Sequence, residues 1–141
     1  MFSQDAKAES LKRSPLFEGL SKRELAQLAR ESEDIEVPAG KVLCNEGERA
    51  QEFFVIVDGD VEVTKNGKLL ATRGAGEMIG EIALLADVPR TATVTAKTPL
   101  RVFVLTAPAF RRLVDANPQV ERKVLRALAK RVVSLSHGSD L

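Results

Sequence analysis

Between Gly76 and Val94 the chain reads GEMIGEIALLADVPRTATV, and two residue pairs in it, Gly80-Glu81 and Pro89-Arg90, are equipped for chemistry. The spacing predicts a strand ("EMI") ending at Gly80 and a one-turn helix ("EIALLA") beginning there. A helix start leaves the backbone N–H groups of Glu81, Ile82 and Ala83 without intrahelical partners, which makes a small anion site. Gly80 carries no Cβ to block the approach of that anion. Arg90, brought back by the turn from Asp87 to Pro89, offers a planar pair of donors to two oxygens of one phosphate. Glu81 then suits a ligand that has a hydroxyl next to a singly charged phosphate, because a carboxylate accepts that hydrogen bond. Read alone, Arg90 has a plainer alternative, a surface ion pair with Glu77, Glu81 or Asp87.

Better-known phosphate motifs do not fit. A P-loop requires G-x-x-x-x-G-K-[ST], yet Gly80 is followed by an acid that would repel a polyphosphate. Gly74, Gly76 and Gly80 miss the G-x-G-x-x-G spacing of a dinucleotide fold, and the helix that follows is too short. ATP and NAD are therefore poor ligands for this loop.

Several elements must position the pair. Ser21 and Glu24 have the spacing of a capping box, with Leu25, Leu28 and Ala29 on one face, predicting a helix from about Ser21 to Arg30. After Ile35 the chain breaks into short apolar runs punctuated by glycines, and Asn66-Gly67 joins "VEVTK" to "KLLAT" as a hairpin. "TATVTA" and "RVFVLT" read as two more strands, in which Thr91 and Thr93 have the alternative role of β-branched strand residues. Pro108 opens a helix through Phe110, Leu113 and Val114, and Asn117-Pro118 breaks it and starts another to about Ser136. The outline is a helix, an all-β barrel or jelly roll, and two helices.

Composition sets limits. With 141 residues, 44% of them hydrophobic, the chain suits one domain with one core. Lys and Arg number 21 against 20 Asp and Glu, a net charge of +1 that gives no global reason to expect nucleic acid or acidic lipid. The region from Arg101 to Arg131 is nonetheless net +6. On the final helix Arg122, Lys123, Arg126 and Lys130 alternate with Val120, Val124, Leu128, Val132 and Leu135, the pattern of a solvated face on an amphipathic helix rather than a nucleic-acid face. Both Leu125/Leu128/Val132 and Val120/Val124/Leu135 are apolar, more surface than one contact needs, so the helix offers two uses: packing on its own barrel and pairing with a second copy as a homodimer. Cys44 stands alone, which excludes an internal disulfide, and reads as a small buried or half-buried hydrophobe. His137 is the sole histidine, so a β-barrel metal centre lacks its ligands and no metal is expected. No apolar run approaches a membrane span, and the chain reads as soluble and cytoplasmic.

With these residues in view, "GEIALLADVPRTATV" resembles the phosphate-binding cassette of the cyclic-nucleotide-binding domains, the family of the bacterial catabolite activator, kinase regulatory subunits and nucleotide-gated channels. "VPAGKVLCNEGERAQEFFVIVDGDVEV" matches the same family's glycine framework, so the resemblance runs from about Phe17 to Ser136. It implies a mainly β fold with flanking helices: a double-stranded β-helix, or jelly-roll-like β-roll, with an N-terminal helix and C-terminal lid helices. It also implies that Arg90, Gly80, Ile82 and Ala83 hold the cyclic phosphate, with Thr91 adding a hydroxyl, and that Glu81 takes the ribose 2′-hydroxyl. Val63 and Leu70 would line the purine pocket, and Leu135 and Ser136 would meet the base from the lid. The ligand implied is cAMP, with cGMP second.

The expected organisation is an N-terminal segment over 1–15, partly helical or flexible, and a cyclic-nucleotide-binding domain over 16–136. Within the domain the β-roll covers about 35–105 and the C-terminal helices about 107–136, leaving a tail at 137–141. The expected function is a cyclic-nucleotide sensor, not an enzyme, that signals to an effector protein through its C-terminal helix. The alternatives are the isolated ligand-binding part of a catabolite-activator-type regulator or fused effector, and an interaction module with a silent pocket.

Overall fold

The computed structural model describes residues 4–14, 17–80, 83 and 87–137. Helix α1 (Gln4–Lys12) precedes α2 (Lys22–Glu31), whose start is fixed by the predicted capping box. Ser21 Oγ accepts from the Glu24 N–H at 3.1 Å, and Glu24 Oε1 accepts from the Ser21 N–H at 2.8 Å. Two orphan donors of the first turn are thereby satisfied. Among the described residues eight strands follow: β1 (Glu33–Val37), β2 (Val42–Cys44), β3 (Glu52–Asp58), β4 (Val61–Lys65), β5 (Lys68–Arg73), β6 (Met78–Ile79), β7 (Thr93–Ala96) and β8 (Leu100–Thr106). Helices α3 (Ala107–Ala116) and α4 (Pro118–His137) close the described chain.

The strands form two antiparallel sheets, ordered β1-β8-β3-β6 and β2-β7-β4-β5. This is the β-roll with flanking helices expected from the sequence. The first sheet explains why "FFVIV" and "RVFVL" are continuously apolar instead of alternating. Phe53, Val55, Phe103 and Leu105 face the helices, packing with Leu25, Leu28, Phe110, Leu113, Val120 and Val124. Their neighbours Phe54, Ile56, Val102 and Val104 face into the roll, against Val61, Val94 and Ala96 of the second sheet. A sheet covered on both faces has no polar side to write into the sequence.

The second sheet is thinner cover. Asn66 and Gly67 make the predicted two-residue turn between β4 and β5, and the β4/β5 register slips between Val63 and Thr64, placing Leu70 at a bulge. Leu69 and Leu70, on the edge strand, are 59% and 60% exposed.

Two expectations are corrected. β7 begins at Thr93, so Thr91 and Ala92 form a bend instead of the start of a strand. The reason is local: backbone pairing with residues 47 and 48 holds Arg90 in a loop before the ladder begins. Helix α4 also runs on to His137, one residue past its expected end at about Ser136 and into the expected tail. On α4, Val120 and Val124 enter the core while Leu125 points outward at 52% exposure, which separates the two apolar stripes as far as they are described.

Candidate functional site

Arg90 is held first by its backbone. Its N–H donates to the Glu48 carbonyl at 2.8 Å, its carbonyl accepts from the Gly47 N–H at 2.8 Å, and Pro89 bridges to Arg49. The loop over 45–49 therefore grips the residue from both sides. Glu46 ties this loop to its surroundings: its N–H donates to Thr93 Oγ1 at 3.0 Å, and its Oε1 accepts from the Asn66 N–H at 3.1 Å. The cassette strand and the β4–β5 hairpin are thus joined through one residue.

The Arg90 side chain turns inward and is only 4% exposed. Nη2 donates to the Glu52 carbonyl at 2.7 Å and Nη1 to the Gly80 carbonyl at 3.3 Å. Glu52 Oε1 lies 3.8 Å from Nη2, at the outer limit of an ion pair. Gly80 has φ +86, and a Cβ there would collide with Arg90 Nη1. The left-handed backbone and the close approach both require glycine at this position. The guanidinium is thus a buried cation resting mainly on two carbonyl dipoles, and an anion brought to it would interact through a medium of low dielectric.

The plainer alternative for Arg90, a surface pair, does not fit a buried side chain, and neither Glu77 nor Asp87 is its partner; Glu81, the third acid of that alternative, lies outside the described residues. Among the described residues its acidic neighbour is Glu52, while Glu77 pairs with Arg73 at 3.7 Å and accepts from the Gly74 N–H at 2.7 Å. Sequence reasoning missed Glu52. Its only mark in the sequence is a lone acid leading the apolar run of β3.

The remaining predicted residues divide. Ala83 is buried, and its carbonyl accepts from the Val88 N–H at 3.1 Å, closing the turn that returns the chain to Arg90. Thr91 is exposed beside Arg90. Val63 on β4 is half-buried against the inner core and Leu70 is exposed on β5. Glu81 and Ile82 lie outside the described residues, as do the side chains of Leu135 and Ser136 on the last turns of α4. The structure brings Gly80 and Arg90 together, leaves Thr91 at their rim, and does not test the others.

Cys44 sits next to the site in β2, buried at 7% exposure. Burial pushes its thiol up from the ordinary 9.0, while the positive charge of Arg90 and a backbone hydrogen bond from Val94 pull in the opposite direction. Among the described residues no three His, Cys, Asp or Glu side chains gather as a metal site, and no helix is long and apolar enough to cross a membrane.

Comparison with known proteins places this geometry. Residues 34–117 match the family described as the cyclic nucleotide-binding domain. The cAMP-dependent protein kinase regulatory subunit of Yarrowia lipolytica is 41% identical over 106 residues, covering 74% of this chain and 28% of its own length. The CRP-like cAMP-activated global transcriptional regulator of Mycobacterium tuberculosis is 27% identical over 129 residues, covering 88% of this chain and 58% of its own. The crystal structure of the N-terminal domain of a transcriptional regulator from Streptomyces coelicolor A3(2) matches with a TM-score of 0.81 at 29% identity, over 92% of this chain and 94% of that one. The chain spans less than two thirds of either curated relative. With the family match reaching from β1 to the end of α3 and enclosing both Gly80 and Arg90, the chain belongs to the cyclic nucleotide-binding domain family.

Proposed function

We propose that the chain is a cAMP sensor, with cGMP the second choice, and that it signals to an effector protein by movement of α4. The observation that carries this reading is the buried Arg90 guanidinium lying across Gly80, with Thr91 at its rim. In this reading Arg90 and the backbone at Gly80, Ile82 and Ala83 hold the cyclic phosphate, and Glu81 takes the ribose hydroxyl. Val63 and Leu70 line the purine side, which Leu135 and Ser136 reach from α4. The relatives whose names carry cAMP support that choice of base. No catalytic step is assigned; the unit works by binding. Nucleotide favours a closed arrangement of α4, and the difference in affinity between the open and closed states sets how far the switch can move. Leu125, half-exposed on α4, supports pairing with a second copy through the same helix.

The test is isothermal titration of unfolded, ligand-stripped and refolded protein with cAMP and with cGMP. Saturable binding is expected, tighter for cAMP. Arg90→Ala is expected to weaken it by about 2–5 kcal/mol, because the phosphate charge is then left desolvated without its partner. Unchanged affinity in the variant removes Arg90 from the site. Silence with both nucleotides replaces the sensor with an interaction module.

A further inference from the structure

The Arg90 guanidinium carries one positive charge, and two of its N–H groups are already engaged by the carbonyls of Glu52 and Gly80. The Glu52 carboxylate stands next to that charge. Its Oε1 lies 3.8 Å from Nη2 and the side chain is 33% exposed, so it neighbours the guanidinium without closing on it. Its place is fixed by the sheet. Glu52 leads β3 opposite Thr106 of β8, Phe53 beside it is buried in the core, and β3 lies between β8 and β6. A Cβ on Gly80 would stand 3.5 Å from the Glu52 carbonyl, so Glu52, Gly80 and Arg90 meet at one point.

The field of this carboxylate reaches past its partner. Beyond burial, which raises it most, the Cys44 thiol is lowered by the charge of Arg90 and raised by those of Glu52 and Glu48. The acids thus act on the same small region as the guanidinium, with opposite sign. Glu48 is exposed and its bond to Arg90 runs through its backbone carbonyl, which leaves Glu52 as the carboxylate beside the guanidinium among the described residues. An anion brought to Arg90 therefore meets an attractive charge and a repulsive one together. Its attraction to the site grows in proportion to its own charge, whereas the cost of stripping its water grows with the square of that charge. By lowering the potential at Arg90, Glu52 penalises a second negative charge more than a first.

We infer that Glu52 is a specificity-determining residue: its carboxylate tunes the Arg90 site to a singly charged cyclic phosphodiester and against the doubly charged phosphomonoester that ring-opening hydrolysis makes of it. This rests on the sensor reading proposed above and deepens it. cAMP and 5′-AMP share base and ribose and differ by one water and one charge at the phosphate, so base contacts alone do not separate them. A Glu52 that merely braced Arg90 would, when changed, weaken both nucleotides in parallel or neither.

The experiment compares the full chain with Glu52→Gln, which removes the charge and keeps the volume and the backbone carbonyl, and with Glu52→Asp, which keeps the charge. A fluorescent cAMP analogue is displaced by cAMP and by 5′-AMP at pH about 8, where the monoester is doubly ionised. In Glu52→Gln 5′-AMP should gain more than cAMP, narrowing the ratio of their Kd values by about three- to thirty-fold. Glu52→Asp should retain most of the original ratio. An unchanged ratio in folded Glu52→Gln overturns the inference, as does a parallel fall of both affinities or an equal narrowing in Glu52→Asp. Should Glu52→Gln fail to fold, Glu52→Thr, an uncharged strand former, decides by the same ratio. Absence of cAMP binding in the unaltered chain removes the sensor reading and this inference with it, an outcome distinct from binding with an unchanged ratio.

Discussion

Gly80→Ala separates what a glycine contributes by conformation from what it contributes by letting a side chain approach. Alanine at φ +86 occupies the left-handed region, a strain of about 1–2 kcal/mol. The new methyl would also fall on Arg90 Nη1. An exposed arginine tip would swing aside at little cost, but Arg90 is buried and its Nη2 is fixed to the Glu52 carbonyl at 2.7 Å. Moving it surrenders that charge-assisted bond, about 1.5–3 kcal/mol, together with the longer one to the Gly80 carbonyl. The total is about 3–5 kcal/mol, a large part of the stability of an ordinary domain. For a chain of this length each kcal/mol lowers Tm by about 3 °C, so a fall of about 10–15 °C is expected.

Gly76→Ala supplies the control, because Gly76 has φ +89 and open space where its Cβ would stand. It should lose only the conformational part, about 3–6 °C, with cAMP affinity intact. Gly80→Ala should lose at least about tenfold in affinity as well, since the guanidinium no longer occupies its seat. Thermal melts and titrations on the two variants side by side are the assay. Equal melting shifts would show that Arg90 yields freely, and the account of a pinned guanidinium would be wrong.

Glu24 makes stability depend on acid in a defined window. Burial opposes its ionisation, but the hydrogen bonds from Lys123, the Ser21 backbone and Gln119 together outweigh burial and hold its pKa at about 2 against an ordinary 4.5. Its contribution is therefore fully present above pH 4.5 and is lost as pH falls toward 2, about 3 kcal/mol in all by linkage. Chemical denaturation measured from pH 5 down to pH 2 should show the loss, and Glu24→Gln should flatten it. Cys44 should resist iodoacetamide at neutral pH until the chain is unfolded, because burial raises its thiol. Arg90→Ala should raise that thiol further by removing the nearby cation, readable as thiolate ultraviolet absorbance that appears at higher pH than in the unaltered chain; appearance at lower pH would place the charge elsewhere.

What the sequence made legible was whatever is decided within a few residues. The Ser21/Glu24 box, the Asn66-Gly67 turn and the Asn117-Pro118 break each carry their geometry in adjacent side chains, and each stands where the spacing put it. The opposition of Gly80 and Arg90 was legible because ten residues with one turn between them leave few other ways to return. Glu52 was not, because it reaches Arg90 across 38 residues and does so only when β3 pairs with β6 and β8. An acid in front of "FFVIV" looks like any strand's solvated end until the roll closes.

The same limit explains the second role of Glu24. Its capping bond lies three residues away and is written in the sequence, whereas Lys123 reaches it across 99 residues and Gln119 across 95. In the sequence, Lys123 belongs to a basic stripe that reads as a solvated helix face; Arg122, Arg126 and Lys130 are indeed exposed, and only the packing of Val120 and Val124 into the core turns Lys123 toward α2. One carboxylate thereby serves a local rule and a tertiary one at once. A substitution chosen on the capping rule alone, such as Glu24→Gln, would be expected to leave the helix nearly unchanged. The bonds from Lys123 and Gln119 say otherwise: the variant weakens them, so both the melting temperature and its dependence on acid should fall, and the two expectations can be told apart in one variant.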